Sequence, residues 1–151
     1  MQRINTVHML PIIFCLQGVF ASAQEQPIKW TFEARRITVT EATVCFKASM
    51  GRGWHLYSLA LAEGGPVKTS FTFGDSESFV LKGNVVEPKP IIKYDKYFDV
   101  NVGYFENAVV FQQEIKLNDE LAIVNGTIRF MMCNEQVCLP PQTMEFSITV
   151  D

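Results

Sequence analysis

Apolar and polar positions alternate along most of this 151-residue chain. In WTFEA the apolar Trp30, Phe32 and Ala34 fall on one side, and in TVCFKASM Val44, Phe46, Ala48 and Met50 do the same. A period of two marks a strand with one buried face. The segments SFTF, SFVLKGNVVE, AVVFQQEIKL, GTIRFMM and TMEFSITV repeat the pattern, and turn chemistry such as EGGP, LND and VNG separates them. Alternation sends Ile128, Phe130 and Met132 from one segment, and Met144, Phe146, Ile148 and Val150 from the next, towards a core, so these two are expected to pair as a hairpin. No segment carries a convincing helical period. Many short strands and frequent turns predict an all-β fold, an immunoglobulin-like β-sandwich, although a small barrel would show the same alternation.

One stretch breaks the rhythm. Between VVEPKP and ENAVVF runs IIKYDKYFDVNVGYF, which gathers Tyr94, Tyr97, Phe98, Tyr104 and Phe105 without clean alternation in its first half. It reads as a loop long enough to fold over something, or as aromatics that plug an open end of the sandwich.

The N-terminus has a different character. Arg3 leads into VHMLPIIFCLQGVFA and then ASAQ, which together read as a secretory signal peptide over residues 1–23 with cleavage after Ala23. The expected mature domain, 24–151, has 151 − 23 = 128 residues, enough for one core without metals or cross-links. Cys15 lacks the preceding small residues of a lipoprotein signal and is expected to leave with the leader. Nothing later in the chain is long and apolar enough to span a membrane. Losing Arg3 moves the formal net charge from −3 to −4, with no basic block, so nucleic acid is a poor partner. The expected compartment is an oxidising one outside the cytoplasm.

Charge and pattern leave the chemistry to cysteine. Three remain in the mature chain, Cys45, Cys133 and Cys138, and at most one pair can form. MMCNEQVCLPP puts Cys133 and Cys138 at the tip of the predicted hairpin, where cross-strand Cβ atoms lie about 4.5–5.5 Å apart, close to disulfide geometry. Pro140 and Pro141 donate no backbone hydrogen bond and stop the ladder there. As a staple the pair is weak: the chain-entropy model gives about 2 kcal/mol for so short a loop, against about 4.7 kcal/mol for a bridge across most of a domain. A short loop does keep both sulfurs together after reduction, so that one can attack a partner's disulfide and the other can resolve the product. Spacing alone serves a structural bridge and a redox pair equally.

The combination GWHLYS, EGGPVKTSFTF, EPKPIIKYDKYFD and CNEQVCLPP, in that order over nearly the whole mature chain, resembles the N-terminal periplasmic domain of the thiol:disulfide interchange protein DsbD. The resemblance implies an immunoglobulin fold and thiol–disulfide exchange. It implies electrons received from a thioredoxin-like or membrane-embedded donor and passed to periplasmic disulfide proteins, isomerases and cytochrome c maturation factors among them. It implies no cofactor beyond the Cys133–Cys138 disulfide. Cys138 matches the cysteine that forms mixed disulfides with partners, and Cys133 its resolving mate. Phe98 matches an aromatic cap over the cysteines, flanked by Tyr97, and Tyr57 an aromatic beside them. His55 stands where the best-known member has tyrosine, and that member carries one more residue between its cysteines. Because Asp151 directly follows the last predicted strand, a free-standing relay domain with a separate donor is expected.

Each of these residues has a plainer reading. His55 is either an imidazolium that tunes a thiol or a partly exposed strand histidine. Asp95, Asp99 and Glu135 can accept protons, but as loop acids they are expected at the solvated surface. Cys45 lies opposite Val44 and Phe46 and is expected to be an unreactive free thiol. Met131, Met132, Cys133, Cys138 and Met144 are soft ligands that would suit Cu(I) with His55, yet alternation already gives Met132 and Met144 to the core and the cysteine spacing is not that of a zinc site, so no metal is assigned. The remaining alternative is a non-catalytic binding sandwich with an inert disulfide. Hydrolase chemistry has no supporting motif.

Overall fold

A computed structural model describes residues 27–151; the predicted leader, with Cys15, lies outside the described residues. Eleven strands follow one another: β1 (Ile28–Thr38), β2 (Glu41–Met50), β3 (His55–Tyr57), β4 (Ser70–Phe73), β5 (Phe79–Val86), β6 (Ile91–Asp95), β7 (Val100–Glu106), β8 (Ala108–Leu117), β9 (Ala122–Phe130), β10 (Met132–Cys133) and β11 (Gln142–Val150). All ladders are antiparallel, and they form three sheets in the orders β1-β2-β8-β5, β11-β9-β4 and β10-β3-β7-β6. The fold is the all-β, immunoglobulin-like sandwich that the alternation predicts. No helix among the described residues is long and apolar enough to cross a membrane.

The first sheet faces the other two across one apolar core. Phe46 of β2 meets Phe71 of β4 at 4.8 Å and Phe146 of β11 at 4.9 Å between ring centroids. Phe105 of β7 packs edge-on to Phe111 of β8. Val44, Phe46 and Ala48 are fully buried, as the period of two requires. Gly126 is needed where layers crowd: a Cβ there would come within 2.1 Å of the Thr72 carbonyl and 2.6 Å of the Phe146 ring. The ring of Phe146, paired across the ladder with Gly126, occupies the space that the missing side chain leaves.

The predicted hairpin is β9–β11, in register from Ala122↔Val150 to Phe130↔Gln142. Beyond Phe130 the chain changes sheets. Met132 and Cys133 pair with Leu56 and His55 of β3, so the hairpin tip is built into the third sheet rather than projecting freely. That sheet has two unlike faces, because successive side chains on each strand point in opposite directions. Leu56, Phe105 and Met132 go to the main core, whereas Tyr57, Tyr104, Val102 and Cys133 form a second, smaller cluster.

The stretch expected to be a loop, IIKYDKYFDVNVGYF, is instead mainly the β6–β7 hairpin, with a short turn, Lys96 to Asp99, closed by Asp99 N–H to Asp95 C=O at 2.8 Å. Asp99 takes φ 58°, a left-handed conformation that aspartate tolerates better than most residues. β6 is an edge strand whose Ile91, Ile92, Lys93 and Tyr94 are all exposed, so neither face selects for polarity and no alternation is written into it.

Candidate functional site

Cys133 and Cys138 are joined in a disulfide and face one another as an antiparallel bridge. The residues between them make a tight turn that the sequence equips from within. Asn134 N–H bonds the Val137 carbonyl at 2.9 Å, and its side-chain Oδ1 accepts from the amides of Gln136 and Val137, each at 2.8 Å. This is the Asx-type turn that asparagine favours. Leu139 N–H reaches back to the Met132 carbonyl at 2.9 Å, after which Pro140 and Pro141 interrupt the ladder until β11 begins at Gln142.

The two sulfurs differ in access. Cys133, on β10, has 0% exposure, whereas Cys138, on the returning arm, is only partly buried. Cys138 is therefore the more accessible sulfur. Beneath Cys133 lies the hydroxyl of Tyr57, itself 0% exposed, at 3.1 Å from Sγ. The same hydroxyl is 2.6 Å from Asp95 Oδ2 and 3.3 Å from His55 Nε2. Asp95 Oδ1 accepts the Tyr97 amide at 2.8 Å, so both carboxylate oxygens are engaged in a residue only 9% exposed. A buried carboxylate is tolerable when its lone pairs are satisfied in this way.

A phenol has one hydrogen to give. Against a disulfide sulfur, a weak acceptor, it goes to Asp95; when Cys133 becomes a thiolate, that sulfur is a competing acceptor along a path already 3.1 Å long. Burial, and then the Asp95 carboxylate, drive the Tyr57 hydroxyl far above its ordinary titration range, so it acts as a donor and not as a base. Burial also holds the His55 imidazole below its usual value, with Asp95 and Glu106 pulling more weakly the other way. The His55 ring packs on Tyr57 and Tyr104, with centroids 5.2 and 4.9 Å away. The imidazolium form expected as one alternative is disfavoured by burial.

The β6–β7 turn leans over the cysteine turn. Tyr97 Oη donates to the Glu135 carbonyl at 2.9 Å, and Lys96 Nζ to the same oxygen at 3.1 Å. Phe98 is half-buried and sits edge-on to Tyr57, 6.4 Å between centroids. Thus Cys133, Cys138, Tyr57, His55, Tyr97 and Phe98 are brought to one face of the third sheet. Under this turn lies a cavity of about 330 Å³ bounded by His55, Asp95, Tyr104 and Glu135.

The expectation that Asp95 is solvated surface is wrong, because the turn that follows it buries the carboxylate against a phenol 38 positions earlier in the chain. Asp99 and Glu135 are exposed as expected, Asp99 accepting from the Tyr94 hydroxyl. The soft ligands divide between two clusters: Met131 packs with Cys133 and Cys138, whereas Met132 and the half-buried Met144 belong to the main core. Sequence reasoning gathered Tyr104 with the aromatics of its stretch without giving it a place at the site, and missed Asn134. Asn134 had a usable signal in its place directly after a cysteine in a short turn. Cys45 is a free, buried thiol whose pKa burial raises.

Residues 22–149 match the family described as thiol:disulfide interchange protein DsbD, N-terminal. No curated protein matches the chain. Among solved structures, the reduced N-terminal domain of DsbD from Neisseria meningitidis is 16% identical, with TM-score 0.53 over 81% of this chain and 86% of that one. The N-terminal periplasmic domain of ScsB from Proteus mirabilis is 17% identical, with TM-score 0.60 over 85% of this chain and 48% of the other. The chain thus spans about half the length of the ScsB domain.

Proposed function

This chain belongs to the DsbD N-terminal family, and on that premise we propose that it is a periplasmic relay carrying reducing equivalents through Cys133 and Cys138. The donor is a thioredoxin-like or membrane-embedded dithiol, and the acceptors are disulfide-containing proteins of the same compartment. The observation that carries the reading is the unequal access of two bonded sulfurs, one half-open at Cys138 and one sealed at Cys133 against a hydroxyl. An inert staple needs no such asymmetry.

Reduction begins when a donor thiolate attacks Cys138 Sγ. The Cys133–Cys138 bond breaks, its electron pair leaves on Cys133, and a donor–Cys138 disulfide forms. The Tyr57 hydroxyl is placed to stabilise the departing thiolate, and a lower-energy thiolate leaves faster. The donor's second thiolate then attacks its own partner sulfur, leaving donor disulfide and a domain with two thiols. Delivery reverses the roles: Cys138 thiolate attacks the acceptor disulfide, and Cys133, deprotonated, resolves the mixed disulfide. Two electrons pass in each half. Phe98 and Tyr97 cover the pair between encounters, which guards a reduced dithiol from small oxidants. His55 and Tyr57 line the same face and position the leaving sulfur.

Trapping tests the relay. A Cys133→Ala variant expressed in its own compartment should accumulate mixed disulfides at Cys138, and a Cys133→Ala, Cys138→Ala double variant should not. Equal recovery from both would overturn the reading. Phe98→Ala should raise the rate at which hydrogen peroxide oxidises the reduced pair; an unchanged rate removes the cap.

A further inference from the structure

The cysteine turn contributes to two concave surfaces that differ in charge. The cavity under the β6–β7 turn carries both signs of charge, with Lys93, Lys96, Glu106 and Glu135 at its wall. On the other flank lies a larger groove of about 880 Å³, floored by Ile28, Met50, Trp54, Val137 and Leu139. Val137 and Leu139 flank Cys138 in the chain, so the groove lies beside the turn that carries the more accessible sulfur. Val137 is 46% exposed on a turn where a polar residue would cost nothing. The charged side chains on this groove are Lys29 and Arg52, both exposed, and none of the described residues lining it is acidic, although the chain as a whole is net negative.

We propose that this groove receives the segment flanking a disulfide partner's reactive cysteine, and that the segment carries an apolar side chain and a carboxylate within a few residues of that cysteine. The inference rests on the relay reading, which supplies the need for a partner at Cys138. Its place beside the cysteine turn, through Val137 and Leu139, selects this groove over other apolar surface. Two exposed cations with no acidic neighbour among the described lining residues set the sign of what binds, and the apolar floor supplies the contact area. Rim charges of this kind act on encounter more than on final affinity, so the discrimination should appear in rates and fade as salt rises.

The test uses the reduced domain and two synthetic peptides, each holding one cysteine in a mixed disulfide with 2-mercaptoethanol. One has a leucine and two glutamates beside the cysteine, the other a leucine and two lysines. In each reaction the domain dithiol becomes a disulfide while peptide thiol and 2-mercaptoethanol are released, and alkylation of the thiols left on the domain, read by the mass of the domain, gives the rate. At low ionic strength the acidic peptide should react about five-fold faster, and the gap should close at high salt. A Lys29→Glu, Arg52→Glu variant, both changes at exposed positions, should invert the order, while its rate with uncharged bis(2-hydroxyethyl) disulfide stays at the wild-type value. Equal rates for the two peptides, or a preference that survives the double reversal, would overturn the groove and leave the relay standing. Failure to reduce even bis(2-hydroxyethyl) disulfide would remove the relay and the groove together. A stable dimer in sedimentation that Val137→Asp dissociates would assign the groove to a second copy of the chain and overturn the proposal as well.

Discussion

The two faces of the β10-β3-β7-β6 sheet are built from the same strands and obey different rules. On one face Leu56, Phe105 and Met132 join an apolar core that extends through both layers, where stability comes from close packing. On the other, Cys133, Tyr57 and Asp95 are buried almost as deeply, but they are polar or reactive and each depends on a specific neighbour. The first face tolerates any change that preserves volume and apolarity. On the second, any change that orphans a hydrogen bond carries a separate cost, and it is the face that meets the disulfide. Alternation along a strand lets one element serve both, since adjacent residues such as Leu56 and Tyr57 belong to different environments.

The sharpest way to break this comparison is to damage each face separately. Phe46→Ala removes a fully buried ring that touches Phe71 and Phe146, and should cost about 3–5 kcal/mol in denaturant unfolding. The rate at which a small dithiol reduces the Cys133–Cys138 bond in the remaining folded protein should not change. If that rate falls with stability, the two faces are one unit.

Tyr57→Phe should do the reverse. Losing the hydroxyl leaves Asp95 with one hydrogen bond fewer in a buried setting, a cost of about 1–3 kcal/mol. It also removes the donor to the departing Cys133 thiolate, so reduction should slow roughly ten-fold, the equivalent of about 1.4 kcal/mol in the barrier. Stopped-flow reduction followed by thiol alkylation would check this. A lower melting temperature with an unaltered rate would make Tyr57 structural only.

The smallest effect belongs to His55 and depends on pH. Its folded pKa lies below the unfolded value, so the unfolded chain binds a proton first as pH falls. Its contribution to stability is therefore complete above the unfolded pKa, near 6.5, and is lost as pH drops from there towards the lower folded value. Melting curves of wild type and His55→Gln should converge in slope above that range, and wild type should lose more stability below it. Parallel curves across the acid range would show that the imidazole feels no burial.

Some of this site is legible in residues alone. CNEQVCLPP prescribes a short bridge closed by prolines, and the flanking alternation prescribes the hairpin that carries it. Asp95 is not legible. Its neighbours Lys96 and Asp99 are exposed, and nothing local distinguishes it from a surface acid; only the Tyr57 hydroxyl and the Tyr97 amide make its burial tolerable. The hairpin at 91–106 was hidden for a related reason, since an edge strand open to solvent on both sides has no face to encode.

By itself, then, the order of residues determined which segments extend, which positions turn inward on each strand, and which two cysteines lie within bonding reach, because backbone geometry converts near neighbours in sequence into fixed directions in space. The tertiary structure alone decided that the tip of β9–β11 docks on β3, that Cys133 is sealed while Cys138 is open, and that a phenol, a carboxylate and an imidazole meet beneath the sulfur. Those outcomes depend on which surfaces come together across dozens of residues, and a pattern with a period of two holds no record of what lies on the far side of each face.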